Sequence, residues 1–394
     1  MIEISDESVL VGRLDRNESF ADVVLQGLDL AGLIDRLLRH SLTSTFFFGC
    51  QASAVDLVRL IEAGASVFPR LAGLPFDPYR SDLYTPAELF DGFESTDPCS
   101  YCHTPDAQIY DYWSSTGGAQ ADSLVHALAR RLHDHSVSQA LSDFLAVDDR
   151  AQNAVAVMGG HDVLRATDGP YAEIARLSRS LTRAGFLMVS GGGPGAMEAT
   201  HLGALLADAS DDRLEAALAI LATAPRFDDI DFVARAFAVV DANADVTPRP
   251  SLGIPTWLYG HEPPTIFATR IAKYFDNSAR EDGLVSIARR GIIFAPGRAG
   301  TVQELFQDAA QNSYFALGEA SPMILLGREF WTTTMPAKPL LDAINPGAPW
   351  HEIVTVVETG VEAVEALRAF QPMDATAPGW SFCAAHCGDD APVA

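Results

Sequence analysis

Two glycine turns and one glutamate carry the chemistry that this sequence offers. In Gly291-Ile-Ile-Phe-Ala-Pro-Gly-Arg-Ala-Gly-Thr-Val-Gln-Glu304, an apolar run enters a glycine turn and then a helix-forming stretch. A strand followed at once by a helix aims the first unpaired N–H groups of that helix into the crevice beyond the strand's C-terminal end. Such a site suits an anion, above all a phosphate. Gly297 and Gly300 allow close backbone approach and Thr301 adds a hydroxyl. Val302, Leu305, Phe306 and Ala309 recur at i, i+3, i+4 and i+7 and mark the buried stripe. At about 100° per residue, Glu304 lies roughly 200° from Val302, so it is expected clear of the core and beside the anion. The plainer alternative is a glutamate that merely complements the helix dipole.

A second glycine turn, Gly191-Gly-Gly-Pro-Gly-Ala-Met-Glu198, follows an apolar run at 186–190. Gly192 and Gly193 would border the same crevice. His161 ends a Gly159-Gly-His turn after another apolar run and would touch a base or a ribose; a loop histidine bonded to backbone is the alternative. A helix is expected over residues 265–279, with Phe267, Ile271, Tyr274, Phe275 and Ser278 on one face and Lys273, Asn277 and Arg280 on the other. Two cations and an amide on one face usually meet only solvent. In a chain of net charge −25 they matter more, because an acidic protein that binds an anionic substrate must keep cations in its pocket.

The elements that would position these groups alternate from Asn153 onward as strand, glycine turn and helix. Strands are expected at 154–158, 186–190, 236–240, 252–256, 291–295, 323–326 and 353–357, and helices at about 170–184 and from Ala196. This predicts an α/β fold, a Rossmann-like parallel sheet with helices on both faces. Residues 1–150 read as a smaller α/β N-terminal region: a strand at 44–50, a helix at 54–63, irregular chain over 69–111, and a helix at 122–133 with Leu124, Ala127, Leu128 and Leu132 on one side. Residues 151–370 form the Rossmann-like unit that carries both glycine turns, and 371–394 a tail.

Composition narrows the partners. With 27 Lys+Arg against 52 Asp+Glu, and no basic stripe, the chain is a poor match for nucleic acid. No apolar run is long enough to span a membrane, and residues 1–17 lack a secretory pattern, so a soluble cytoplasmic protein is expected. Five cysteines, an odd number, argue against a disulfide scaffold. Cys99, Cys102 and His103, with Cys383, His386 and Cys387, hold enough soft ligands for zinc; reduced thiols in a loop and a tail are the plainer reading.

The paired motifs, Gly191-Gly-Gly-Pro-Gly-Ala-Met-Glu198 and Pro296-Gly-x-x-Gly-Thr-x-x-Glu304, resemble those of the LONELY GUY (LOG) phosphoribohydrolases. Gly159-Gly-His161 brings the sequence nearest to the bacterial pyrimidine/purine nucleotide 5′-monophosphate nucleosidases of that group. The resemblance covers roughly residues 155–326, more faintly from about 46, and nothing here matches the large C-terminal domain of those nucleosidases. It implies hydrolysis of a nucleoside 5′-monophosphate to free base and ribose 5-phosphate, with no metal or cofactor, by a homodimer or higher homo-oligomer whose N-terminal region regulates. It further implies that Glu304 is the catalytic glutamate and that Gly297, Gly300 and Thr301 hold the phosphate. Where the family carries its catalytic arginine this chain has Glu281; Arg280, one residue away, is the choice, and Arg270 the runner-up. The family's second motif glycine is replaced by Arg298, which either clamps the phosphate or crowds the turn. A nucleotide sensor or carrier without turnover is the competing reading. A nicotinamide-dependent dehydrogenase is weaker, because the second glycine turn is not G-x-G-x-x-G and does not follow the first strand of its domain.

Overall fold

The computed structural model describes residues 2–344 and 349–370, with the backbone of 373–374. Four short strands, β1 (Ile2–Ile4), β2 (Val23–Gln26), β3 (Thr45–Phe48) and β4 (Ser66–Phe68), pair in parallel and in chain order. Helices α1 (Glu7–Asp15), α2 (Ile34–Leu37) and α3 (Ala54–Glu62) make the crossovers. This unit has its own core, running from Ile4 to Ala65. The larger core begins at Phe76, so α4 (Pro86–Leu89), α5 (Pro105–Ser115) and α6 (Leu124–Ala146) pack into the same interior as the sheet that follows.

That sheet is parallel throughout, in the order β12-β11-β9-β5-β6-β7-β8. Its strands are β5 (Ala154–Met158), β6 (Leu187–Ser190), β7 (Ser251–Gly253), β8 (Arg270–Ile271), β9 (Gly291–Phe294), β11 (Met323–Leu326) and β12 (Val354–Val357). A separate antiparallel pair joins β10 (Glu319–Ala320) to β13 (Met373–Asp374). Every residue of β5, β6, β9 and β11 is buried, as expected of a parallel sheet covered on both faces, and the Rossmann-like α/β fold read from the sequence is the one observed. The covering helices are α7 (Gly169–Arg183), α8 (Ala196–Leu205), α9 (Asp211–Leu221), α10 (Phe232–Ala242), α11 (Asn277–Ile287), α12 (Ala299–Tyr314), α13 (Ala337–Ala343) and α14 (Gly360–Ala369). The chain runs outward from β5 through β6, β7 and β8 and then returns to β9 on the other side of β5. The sheet therefore switches direction between β5 and β9, which opens a crevice beyond their C-terminal ends.

Four expectations are corrected. The helix expected over 265–279 is absent up to Asp276: after a turn at 266–267 the chain enters β8, with Ala272 N–H bonded to Gly253 O at 2.8 Å and Ile271 N–H to Tyr84 O at 2.8 Å. Tertiary pairing on both sides overrides the helical spacing, and the helix starts only where Asp276 caps it through Ser278 N–H at 2.9 Å. The strand at 236–240 is instead part of α10, whose buried residues Phe232, Ala236 and Val239 keep helical spacing; a short β-branched run does not distinguish the two. Helix α6 is longer than expected and turned, since Leu124 and Leu128 are 85% and 51% exposed while His133 and Val137 are buried. The buried face of α6 includes Arg130, His133 and Asp134, polar residues that the apolar pattern overlooks. Residues 69–111, expected irregular throughout, hold α4, a short 3-10 turn at Pro98–His103 and most of α5.

Candidate functional site

A cavity of about 550 Å³ occupies the crevice at the switch point. Its floor is set by main-chain bonds between the two central turns: Ala295 N–H donates to Met158 O at 2.8 Å and Gly160 N–H to Pro296 O at 3.2 Å. One wall is the start of α12. Its first helical bond is Val302 N–H to Arg298 O at 3.0 Å, so the N–H groups of Ala299, Gly300 and Thr301 have no partner within the helix, and all three residues line the cavity. Gly297 stands behind this wall, where a Cβ would lie 2.1 Å from Thr301 Oγ1; only glycine lets the turn close on that side chain.

Glu304 lines the cavity one turn further along α12. Expected clear of the core, it is instead buried, on one face with Thr301, Leu305, Asp308, Ala309 and Asn312, and Val302 and Phe306 of the expected stripe are only half-buried. Facing it, Arg280 of α11 approaches Glu304 Oε1 to 3.5 Å through Nη1 and is anchored by Nε to Ile254 O at 2.9 Å. Burial pushes the Glu304 carboxyl up to about 7; the Arg280 charge pulls it down and the Glu281 charge pushes it up. Gly191 is part of this arrangement, since a Cβ there would fall 2.3 Å from Arg280 Nη2. Gly193 lines the cavity, whereas Gly192, at φ 71°, packs against Ile254 and Pro255 behind it. Burial raises the Glu262 carboxyl above its ordinary value, against the pull of His161, His261 and Arg280. His161 is half-exposed, lines the cavity, sets Nδ1 3.8 Å from Glu262 Oε1 and meets Phe227 edge-on. Arg298 lies at the mouth, 80% exposed, with Nε donating to Asp162 Oδ2 at 2.9 Å.

The remaining cations go elsewhere. Arg270 is exposed on the edge strand β8 and bonds Thr269 O. Lys273 is buried against Asp106 at 2.5 Å, below the Trp257 ring. Asn277 bonds Glu281 Oε1 at 2.7 Å and does not line the cavity, so the shared face of Lys273, Asn277 and Arg280 dissolves with the helix that implied it. Sequence reasoning missed Asp162, Glu262, Glu281 and Gln303. Asp162 and Glu262 sit in loops that follow β5 and β7, the positions where a switch-point crevice draws its side chains, and that rule could have found them. Cys99 and Cys102 are free and exposed, Cys383, His386 and Cys387 lie outside the described residues, and no metal-suited cluster occurs among the described residues. No helix among those residues is long and apolar enough to cross a membrane.

No family model and no curated protein matches the chain. Among solved structures it is similar to the molybdenum cofactor binding protein from the phototrophic bacterium Rippkaea orientalis, at 14% identity over 55% of this chain and 96% of that one, with a TM-score of 0.35.

Proposed function

We propose that the chain hydrolyses the N-glycosidic bond of nucleoside 5′-monophosphates, releasing free base and ribose 5-phosphate. The observation that carries this reading is the opposition, in one cavity, of a helix N-terminus and the Arg280–Glu304 pair. The phosphate sits on the N–H groups of Ala299, Gly300 and Thr301. The ionised Glu304 then faces the anomeric carbon, where it stabilises positive charge developing on the ribose and orients the attacking water. Water supplies the hydroxyl at C1′ and the proton that the departing base takes up. By the motif resemblance the protein works in the cytoplasm as a homodimer or higher homo-oligomer. The test is direct: AMP, GMP, CMP and UMP are incubated with the protein and free base is quantified. Release from at least one of them supports the reading, and binding without release by any would make the chain a sensor or carrier.

Two variants probe the parts. Arg298→Ala removes an exposed cation at the mouth that can exchange Asp162 for the phosphate; KM for the preferred monophosphate is expected to rise about tenfold at nearly constant kcat. A fall in kcat at unchanged KM would refute that role. Gly191→Ala intrudes on Arg280 and on the flexible end of Met197, without touching the turn that opens α12. Stopped assays should give kcat lower by about 10- to 100-fold, with the melting temperature close to wild type; wild-type kcat would show that Arg280 need not stand where it does.

A further inference from the structure

The helix that carries Arg280 is fastened at its start to α6. Asp134 of α6 is 6% exposed, and its carboxylate accepts the main-chain N–H of Phe275 at 3.0 Å and of Asp276 at 2.8 Å. On the solvent side Arg131, one turn before, pairs with the Asp276 side chain. Asp276 is the N-cap of α11, and its carbonyl accepts the Arg280 N–H at 3.2 Å. Asp134 is itself held. His133 Nδ1 lies 3.0 Å from its Oδ1, and His133 Nε2 lies 2.8 Å from the Tyr84 hydroxyl. Burial disfavours the charged imidazole, so the neutral ring donates from Nδ1 to Asp134 and accepts the Tyr84 proton at Nε2.

We propose that Asp134 is a positioning residue for Arg280: by fixing the main chain that enters α11, it sets the separation of the Arg280 guanidinium from the Glu304 carboxyl. The kinetic part of this inference rests on the hydrolase reading; the geometric part does not. The 3.5 Å contact is longer than a charge-assisted hydrogen bond of about 2.7–2.9 Å, so Glu304 itself does not hold the guanidinium, which is set by its Nε bond to Ile254 O and by where the helix starts. The attraction falls with distance, and a small drift of α11 weakens it. The other charged or titratable groups around the cavity, Glu281 beside Arg280 and His161, Asp162, His261, Glu262 and Arg298 across it, make no hydrogen bond to Asp134. A change at Asp134 therefore reaches Glu304 through α11.

The experiment titrates the Glu304 carboxyl by carbon-13 NMR in the full chain labelled at glutamate, assigned by Glu304→Gln, beside the pH dependence of base release from AMP, GMP, CMP and UMP. Asp134→Asn is expected to raise the Glu304 midpoint by about half a unit, giving roughly threefold slower turnover below it with KM within twofold. Arg280→Ala should raise it further, and the double variant no further than Arg280→Ala alone. Arg131→Ala, at a site 73% exposed, supplies a smaller shift of the same sign and decides the matter should Asp134→Asn fail to fold. An unmoved midpoint in the folded variants, or a double variant that moves as far again, overturns the proposal. A moved midpoint without base release from the wild type would retain the positioning role and reject the hydrolase; base release with an unmoved midpoint would do the reverse.

Discussion

Glu304→Gln is expected to release base at least about 1,000-fold more slowly than the wild type and, at pH 8, to be the more stable protein. The first effect follows from losing the buried carboxylate that pairs with Arg280 beside the anion site, a preorganised charge. The second follows from what burial does to that carboxyl. Its value of about 7 in the folded chain lies above the ordinary 4.5, so the folded state holds the proton more tightly than the unfolded one. The stability associated with this group is thus fully present below about 4.5 and is lost as pH rises through about 7. The difference corresponds to about 3 kcal/mol of strain in the ionised site. Glutamine resembles the protonated acid and does not ionise. Urea melts at pH 5 and pH 8 should show the two proteins alike at the lower pH and the variant ahead at the higher. A wild type as stable as the variant at pH 8 would mean that Arg280 compensates Glu304 fully. The same ionisation predicts that kcat/KM of the wild type climbs about tenfold per pH unit below 7 and levels above it, because the charged form does the work.

Such a site can be read from sequence where the signal is local. The strands β5 and β9 are continuous apolar runs because both faces are covered, and the turns that follow them are marked by glycines whose Cβ would collide with neighbours. Gly297 against Thr301 is a contact within five residues. Glu304 is found by its motif but misplaced by helix spacing, because polar Thr301, Asp308 and Asn312 share its buried face while Val302 is only half-buried. Reading fails where a distant partner decides. Lys273 has the spacing of a surface cation, yet it is buried by Asp106, 167 residues away. The stretch before α11 has helical periodicity but is drawn into extended form by β7 on one side and Tyr84 on the other, a residue from the segment expected to be irregular. Helix α6 was misjudged for the same reason: Arg130, His133 and Asp134 are interior because Trp113, Thr116, Tyr84 and the start of α11 supply their partners. The glycine turn at 191–195 shows both sides at once. Gly195, at φ 68°, abuts Gly160 O and His161 O and so joins the two glycine turns, whereas Glu198 three residues on is buried by Arg165, a partner 33 residues away that no local pattern marks.

That glutamate should yield the largest loss of stability. Glu198 stands in the first turn of α8, where the helix dipole favours its charge, and grips Arg165 with both oxygens, at 2.8 Å to Nε and 2.5 Å to Nη2. Tyr171 donates its hydroxyl to Glu198 at 2.7 Å, and Arg165 Nη1 donates to Phe232 O at 2.8 Å, with the guanidinium lying over the Phe232 ring. Arg165 is one of the largest fully buried side chains. Glu198→Ala therefore leaves a charge in the interior with only carbonyl partners and a phenol without its acceptor, at a cost of about 3–5 kcal/mol. Replacing both ions by apolar residues of similar length, Arg165→Met with Glu198→Leu, removes the charge as well as the attraction and should recover most of that loss. The recovery is not expected to extend to the cavity. Arg165 ties the segment after His161 and Asp162 to the loop that carries Phe227, through Ala224 O and Phe232 O as well as its own N–H to Pro225 O. A methionine cannot make the side-chain bonds, so the doubly substituted chain should melt near the wild type while its KM for monophosphates rises, since the wall bearing Asp162 and Phe227 is no longer fixed. Chemical denaturation of the single and double variants, read beside their KM values, separates the two consequences: equal loss in both proteins would mean that the ion pair is worth more than the packing that replaces it.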